Sequence, residues 1–207
     1  MPNIELIHGD CMEIMARYPD KYFELACVDP PYGIDMGKKH TGPGWIQRES
    51  KDWDSCVPGK IFFKNLFRVS INQIIWGGNY FTDNLYPSMG WVFWDKGQRN
   101  FSLADGELAW TSFQRALRVV DFSRSKANQD PFKNHPTRKP IYLYRWLLHN
   151  YAKPGDKILD THLGSGSSAI AAHQMGFDFV GCELDTDYYN AACKRFKEQT
   201  AQQTLFK

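Results

Sequence analysis

Lys157-Ile158-Leu159-Asp160-Thr161-His162-Leu163-Gly164-Ser165-Gly166-Ser167-Ser168, continued through Ala169–Met175 to Phe177–Glu183, is the stretch whose pattern decides the fold. Residues 157–160 read as a strand, 163–168 as a glycine-rich turn, 169–175 as a helix of small residues, and 177–182 as a second strand that ends on Glu183. Strand, glycine turn, helix, strand and carboxylate in that order make a nucleoside site. Gly164 and Gly166 let the backbone approach the ligand, and Glu183 accepts hydrogen bonds from ribose hydroxyls. The glycine pair alone fits a plain βαβ unit equally well; its context favours the nucleoside reading. No GxGxxG and no GxxxxGK[ST] is present, so a ligand with a single ribose is expected rather than a dinucleotide or a nucleoside triphosphate. S-adenosylmethionine meets that description.

Outward from this unit the same alternation recurs. Ile4–Ile7, Phe23–Val28, Gln73–Trp76 and Trp91–Trp94 read as strands. Met12–Met15, Ile61–Val69, Ile141–Tyr151 and Thr186–Gln199 read as helices, and Glu107–Phe113 with Ala116–Phe122 reads as a hairpin. Strands that alternate with helices predict an α/β, Rossmann-like, doubly wound and mostly parallel sheet. At 207 residues, 43% hydrophobic and 15% aromatic, the chain suits one domain spanning 1–207. A catalytic half covers about 1–134 and a cofactor half about 135–207.

Phe23–Val28 ends in Asp29-Pro30-Pro31-Tyr32, whose prolines forbid further ladder pairing and place it on a loop at the strand's carboxyl end. A rigid proline turn would explain the prolines without any chemistry. The tetrapeptide nevertheless suits one reaction closely. An exocyclic base amine is a poor nucleophile, because its lone pair is delocalised into the ring. A carboxylate (Asp29) and a peptide carbonyl (Pro30) that accept both amine hydrogens favour a pyramidal nitrogen with a directed lone pair, and catalysis then rests on positioning. Tyr32 offers a π-face for a base turned out of the duplex.

The net charge is only +2, but its distribution is uneven. Segment 113–139 carries Arg115, Arg118, Arg124, Lys126, Lys133, Arg138 and Lys139 against Asp121 and Asp130. Within the polar loop 34–59, the stretch from Met36 to Lys51 holds Lys38, Lys39, Arg48 and Lys51 against Glu49. Both are candidate DNA-contacting regions, with Lys38, Lys39, Arg124 and Lys126 the proposed phosphate contacts. Five scattered cysteines without a CxxC pair suggest neither disulfides nor a metal site, and a reduced, cytoplasmic compartment is expected. The N-terminus lacks a secretion-signal pattern, and no apolar run is long enough for a membrane span.

Asp29-Pro30-Pro31-Tyr32, followed by His135-Pro136-Thr137-Arg138-Lys139-Pro140 and Asp160-Thr161-His162-Leu163-Gly164-Ser165-Gly166-Ser167, resembles the DNA amino-methyltransferases. The order, with the DPPY motif before the glycine motif, is that of their circularly permuted beta class, and the likeness runs from about His8 to Phe196. The resemblance implies a seven-stranded S-adenosylmethionine-dependent methyltransferase fold in which the Glu183 strand adjoins the Ile4–Ile7 strand. It implies catalysis by Asp29, Pro30, Pro31 and Tyr32 on a flipped-out base. It implies cofactor contacts from Asp10 and Cys11 (adenine ring), from Asp29, His135, Thr137 and Lys139 (methionine end), and from Asp160, Thr161, His162, Leu163, Gly164, Ser165, Gly166, Ser167 and Glu183. The family usually has Pro-Phe where this chain has Thr161-His162, and it usually has a separate target-recognition region, for which residues 96–134 leave little room.

N6 of adenine in DNA is the expected target, since the motif begins with Asp rather than the Ser common among cytosine-N4 enzymes. N4-cytosine methylation is the nearest alternative. Methylation of a protein glutamine or an RNA amine is argued against by the permuted order and by the lack of Asn-Pro-Pro-Tyr. A non-catalytic nucleic-acid-binding relic is the alternative of another class. The oligomeric state, a homodimer included, and any restriction partner are left open.

Overall fold

The structure, a computed structural model, describes residues 1–35, 54, 57–100, 104–123 and 138–201. In chain order its elements are β1 (Ile4–His8), α1 (Cys11–Ala16), β2 (Phe23–Val28), α2 (Lys60–Val69) and β3 (Ser70–Trp76). They continue with β4 (Trp91–Asp95), β5 (Gly106–Thr111), β6 (Arg118–Asp121), α3 (Ile141–Tyr151) and β7 (Lys157–Asp160), then α4 (Ser167–Met175), β8 (Asp178–Glu183) and α5 (Thr186–Ala201). The strands form one sheet in the order β1-β8-β7-β2-β3-β5-β4-β6. All run parallel except β5, which is antiparallel to both β3 and β4.

Most apolar residues of β2, β3, β7 and β8 are buried, on both faces of the sheet. Side chains alternate across a strand. Leu25, Cys27, Ile74, Trp76, Ile158 and Phe179 pack with Leu143, Leu147, Ala169 and Ala172 of α3 and α4. Their neighbours Ala26, Val28, Ile75, Leu159 and Val180 meet Met15, Phe62, Phe63 and Leu66 of α1 and α2 on the other face. The alanines of α4 are fully buried, and their small size lets the helix lie close to the sheet.

Two expectations are corrected. The sheet has eight strands among the described residues rather than seven, because β6 adds a parallel edge beyond β4. The hairpin between 107–113 and 116–122 does not form. Instead β5 inserts between β3 and β4, pairing Trp110 with both Ile75 and Trp91, and β6 pairs only with β4. An antiparallel strand with two buried partners shields more apolar surface than a two-stranded ribbon would. The implied junction across the permutation is present: β1 pairs in parallel with β8, His8 opposite Glu183. Pairing of β2 with β7 joins the two halves of the chain in one sheet.

A candidate active site at the carboxyl edge of the sheet

In space the chain winds outward in opposite directions from β7 and β2, so the crevice between them is the topological switch point where open α/β sheets take ligands. Asp160 at the end of β7 and Asp29 just past β2 stand there together. Asp160 is buried, and its carboxylate accepts from the His162 N–H at 3.0 Å and the Ser168 hydroxyl at 2.6 Å. Desolvation, opposed by these two donors, pushes its pKa up to about 7.

The glycine turn lies beside it. Gly164 and Gly166 have φ of 51° and 74°, left-handed values that favour glycine, and Gly166 caps α4. Glu183 closes the turn, one oxygen accepting from the Gly164 N–H at 2.8 Å and the other from the Asp185 N–H at 3.0 Å. An ionised carboxylate offers about four lone-pair sites, so half remain for hydroxyl donors. Burial raises the Glu183 pKa. Leu163 is anchored by its N–H to the Cys182 carbonyl, and the Ser165 and Ser167 hydroxyls pair at 3.1 Å. Arg195 of α5 is buried beneath them and donates to the Ser165 carbonyl and the Ser167 hydroxyl.

Thr161-His162, the departure from the family pattern, is accommodated locally. The His162 ring meets Phe62 edge-on at 5.4 Å, with Nδ1 2.9 Å from the Thr161 hydroxyl. Burial lowers its pKa to about 4, so the ring is neutral near pH 7. Asp10 sits at the end of β1, where it caps α1 by accepting from the Met12 N–H at 2.7 Å, with Cys11 as the first helical residue. Burial pushes the Cys11 thiol up to about 12 and raises Cys27 and Cys182 as well, so none of these three is a thiolate near neutral pH.

Asp29 is engaged at both oxygens. Oδ1 accepts from the Tyr32 hydroxyl at 2.6 Å, and Oδ2 lies 2.5 Å from Lys139 Nζ. Desolvation raises the Asp29 carboxyl above the usual carboxylate range, and the lysine opposes that rise. The Tyr32 ring stacks on Tyr80 at 5.0 Å and 12°, so one of its faces is covered. Gly77 makes room for it: a Cβ there would lie 2.2 Å from the ring. Pro30 is buried, and the backbone N–H groups of Tyr32 and Gly33 both donate to Asp54 Oδ1, at 2.6 and 2.9 Å.

Several participants escaped the sequence reading. Asp54 falls within the loop expected to be surface, yet it is 2% exposed and holds the DPPY turn. Lys139, counted in a basic DNA-facing stretch and placed by the resemblance at the methionine end of the cofactor, points inward with its side chain 2% exposed, and its role toward Asp29 was not read from the sequence. Its ammonium contacts Asp29, Tyr32 Oη at 3.1 Å and Glu107 Oε2 at 3.0 Å. Glu107 and its partner Lys96, 2.5 Å from Oε1, carried no sequence signal. Only an isolated acidic residue in an apolar strand hinted at Glu107. Lys38, Lys39, Arg124, Lys126, His135 and Thr137 lie outside the described residues. No helix among the described residues is long and apolar enough to cross a membrane.

Comparison with known proteins agrees with this geometry. A DNA methylase family model (N6_N4_Mtase) matches residues 60–194. The chain is 25% identical to the DNA adenine methyltransferase YhdJ of Escherichia coli K12, across 92% of this chain and 81% of that protein. Among solved structures it superposes on M1.HpyAVI in complex with SAM with a TM-score of 0.62 at 19% identity, covering 93% of this chain and 99% of that one. It superposes on the cytosine-N4-specific PvuII DNA methyltransferase with a TM-score of 0.64 at 13% identity, covering 97% and 91%. These two likenesses reflect the shared fold. With its family model matched over most of its length, the chain belongs to the DNA methylase family of N6-adenine and N4-cytosine enzymes.

Proposed function

We propose that this protein transfers a methyl group from S-adenosylmethionine to N6 of adenine in DNA, acting as one methyltransferase domain on a base turned out of the duplex. The observation that carries the reading is the Asp29 carboxylate at the switch point between β2 and β7, beside a glycine turn closed by Glu183. S-adenosylmethionine, when bound, supplies a methyl group made electrophilic by its sulfonium. Glu183, with lone pairs to spare, suits the ribose; Gly164–Ser167 suit the backbone approach; and Asp10 and Cys11 at the end of the neighbouring β1 suit the adenine ring. Asp29, His135 and Thr137 are assigned to the methionine end, and Lys139, engaged by Asp29, Tyr32 and Glu107, to holding Asp29 there.

Asp29 and the Pro30 carbonyl accept the two hydrogens of the base amine and turn its lone pair toward the methyl carbon. Asp29 then takes the proton that the nitrogen sheds. The Tyr32 hydroxyl donates to Asp29 Oδ1, so an amine hydrogen shares that oxygen with it or displaces it. With the nearby thiols protonated, transfer is direct and needs no cysteine. Adenine is preferred because the motif begins with Asp29 and because the relative YhdJ is a DNA adenine methyltransferase. Cytosine N4 is the second reading, supported by the fold shared with the PvuII enzyme. Expression in a methylation-deficient bacterium, followed by nucleoside analysis of its DNA, tests both. N6-methyladenine is expected, N4-methylcytosine overturns the choice of base, and unmodified DNA overturns the function.

A further inference from the structure

Four charges of alternating sign run from the DPPY turn across the sheet: Asp29, Lys139, Glu107 and Lys96. They come from four separate places in the chain: the loop after β2, the segment before α3, the second residue of β5, and the residue after β4. Lys139 Nζ lies 5.1 Å from the centroid of the Trp76 ring and 5.6 Å from that of Tyr32, while Lys96 Nζ lies 5.0 Å from that of Trp94. The Lys139 ammonium has three N–H groups and three acceptors in reach: Asp29 Oδ2, Tyr32 Oη and Glu107 Oε2. With the Tyr32 hydroxyl on Oδ1 and the ammonium at Oδ2, the Asp29 carboxylate is held at both oxygens.

Resting on the function proposed above, we infer that Glu107, itself held by Lys96, is a positioning residue for Asp29: it takes up half of the Lys139 charge, so the lysine orients the carboxylate without cancelling its negative field. A lysine paired with Asp29 alone would neutralise the one acceptor that has to attract a developing cation on the base nitrogen. With Glu107 present, the three groups nearest the reacting atoms sum to one negative charge, and the compensating positive charge of Lys96 stands at the far end of the row, against Glu107 and not against Asp29. Lys96 completes the row and keeps Glu107 ionised, its carboxyl held down to about 2 by the two lysines against its own burial. Asp29 also faces Tyr32, Asp160 from β7, Cys27 from β2 and Tyr144 from α3; of these, only Tyr32 bonds to it.

Charge removal at the two ends of the row has opposite signs, which separates positioning from mere packing. Glu107→Gln removes a negative neighbour and lowers the Asp29 titration midpoint. Lys96→Met frees Glu107 to act on Asp29 and raises it. The measurement is a 13C-carboxyl titration of full-length protein labelled at aspartate, with the Asp29 resonance assigned by its loss in Asp29→Asn. Opposite shifts of the two variants are expected. A shift of the same sign in both, or none in either, overturns the inference. Single-turnover methyl transfer to unmethylated duplex, run in parallel, should fall on the order of tenfold in Glu107→Gln, the effect of losing one buried charge beside Lys139. Parental transfer in that variant also overturns the inference, whereas absence of transfer by the unaltered protein, with the titration shifts intact, counts against the proposed function and not against the charge row.

Discussion

Asp29→Ala separates what the active-site carboxylate does for the fold from what it does for the reaction. From sequence alone the residue sits on a loop past a buried strand, and its loss should leave a folded protein. The structure adds a cost in stability. Asp29 loses contact with a lysine whose side chain is 2% exposed, and its own is only 20% exposed. Removing one member of a buried pair costs roughly 3–5 kcal/mol when the other is stranded. Here Lys139 keeps Glu107 at 3.0 Å and Tyr32 Oη at 3.1 Å, so the loss approaches that of one charge-assisted hydrogen bond, about 1.5–3 kcal/mol. For a chain of this length that lowers Tm by roughly 3–12 °C. Methyl transfer should fall by at least ~10²–10³-fold, as when a preorganised polar group is removed at a reacting centre. Asp29→Asn keeps the shape and an acceptor for Lys139, so it should recover most of the Tm while leaving transfer low. Scanning calorimetry reads the first effect, and single-turnover transfer of labelled methyl with nucleoside analysis reads the second. An unchanged Tm in Asp29→Ala refutes the buried pair, and near-parental turnover refutes the mechanism.

Glu183→Gln preserves the Gly164 contact through its amide oxygen but loses the charge, and should weaken S-adenosylmethionine binding roughly 10–100-fold by calorimetry; unchanged affinity places the ribose elsewhere. The Asp160 pKa of about 7 in the folded protein lies above its unfolded value of about 3.9. The folded state therefore binds the proton more tightly, and this group's contribution is full below pH ~4 and is lost as pH rises through about 7. The loss is on the order of 4 kcal/mol. Asp160→Asn should flatten urea-midpoint curves across that window, and parallel curves for parent and variant would contradict the buried acid. Changing Lys38 and Lys39, or Arg124 and Lys126, to Ala should reduce the slope of log DNA affinity against log salt by about 2 each. Parental slopes in both would make these residues ordinary solvated surface.

Local pattern was enough to specify the elements near the site. Phe23–Val28 and Lys157–Asp160 form strands with the bounds read from the sequence, their apolar residues being buried on both faces of the sheet. The glycine turn and Asp29 at a strand end were legible as short-range signals, and Glu183 was legible from its place at the end of the next strand, across one helix from the turn. Strand order in the outer sheet was not legible. The periodicity of Glu107–Thr111 fits a hairpin with the next strand as well as insertion between β3 and β4, and only the apolar surface available on both sides decides between them. The charge row had no local signal at all. Lys139 and Tyr32 meet across 107 residues, and the strand order that brings Glu107 and Lys96 to them is fixed by the packed sheet. A lysine in a basic run and a buried lysine gripped by two carboxylates look alike in sequence; desolvation and long-range pairing, which exist only once the chain has folded, tell them apart.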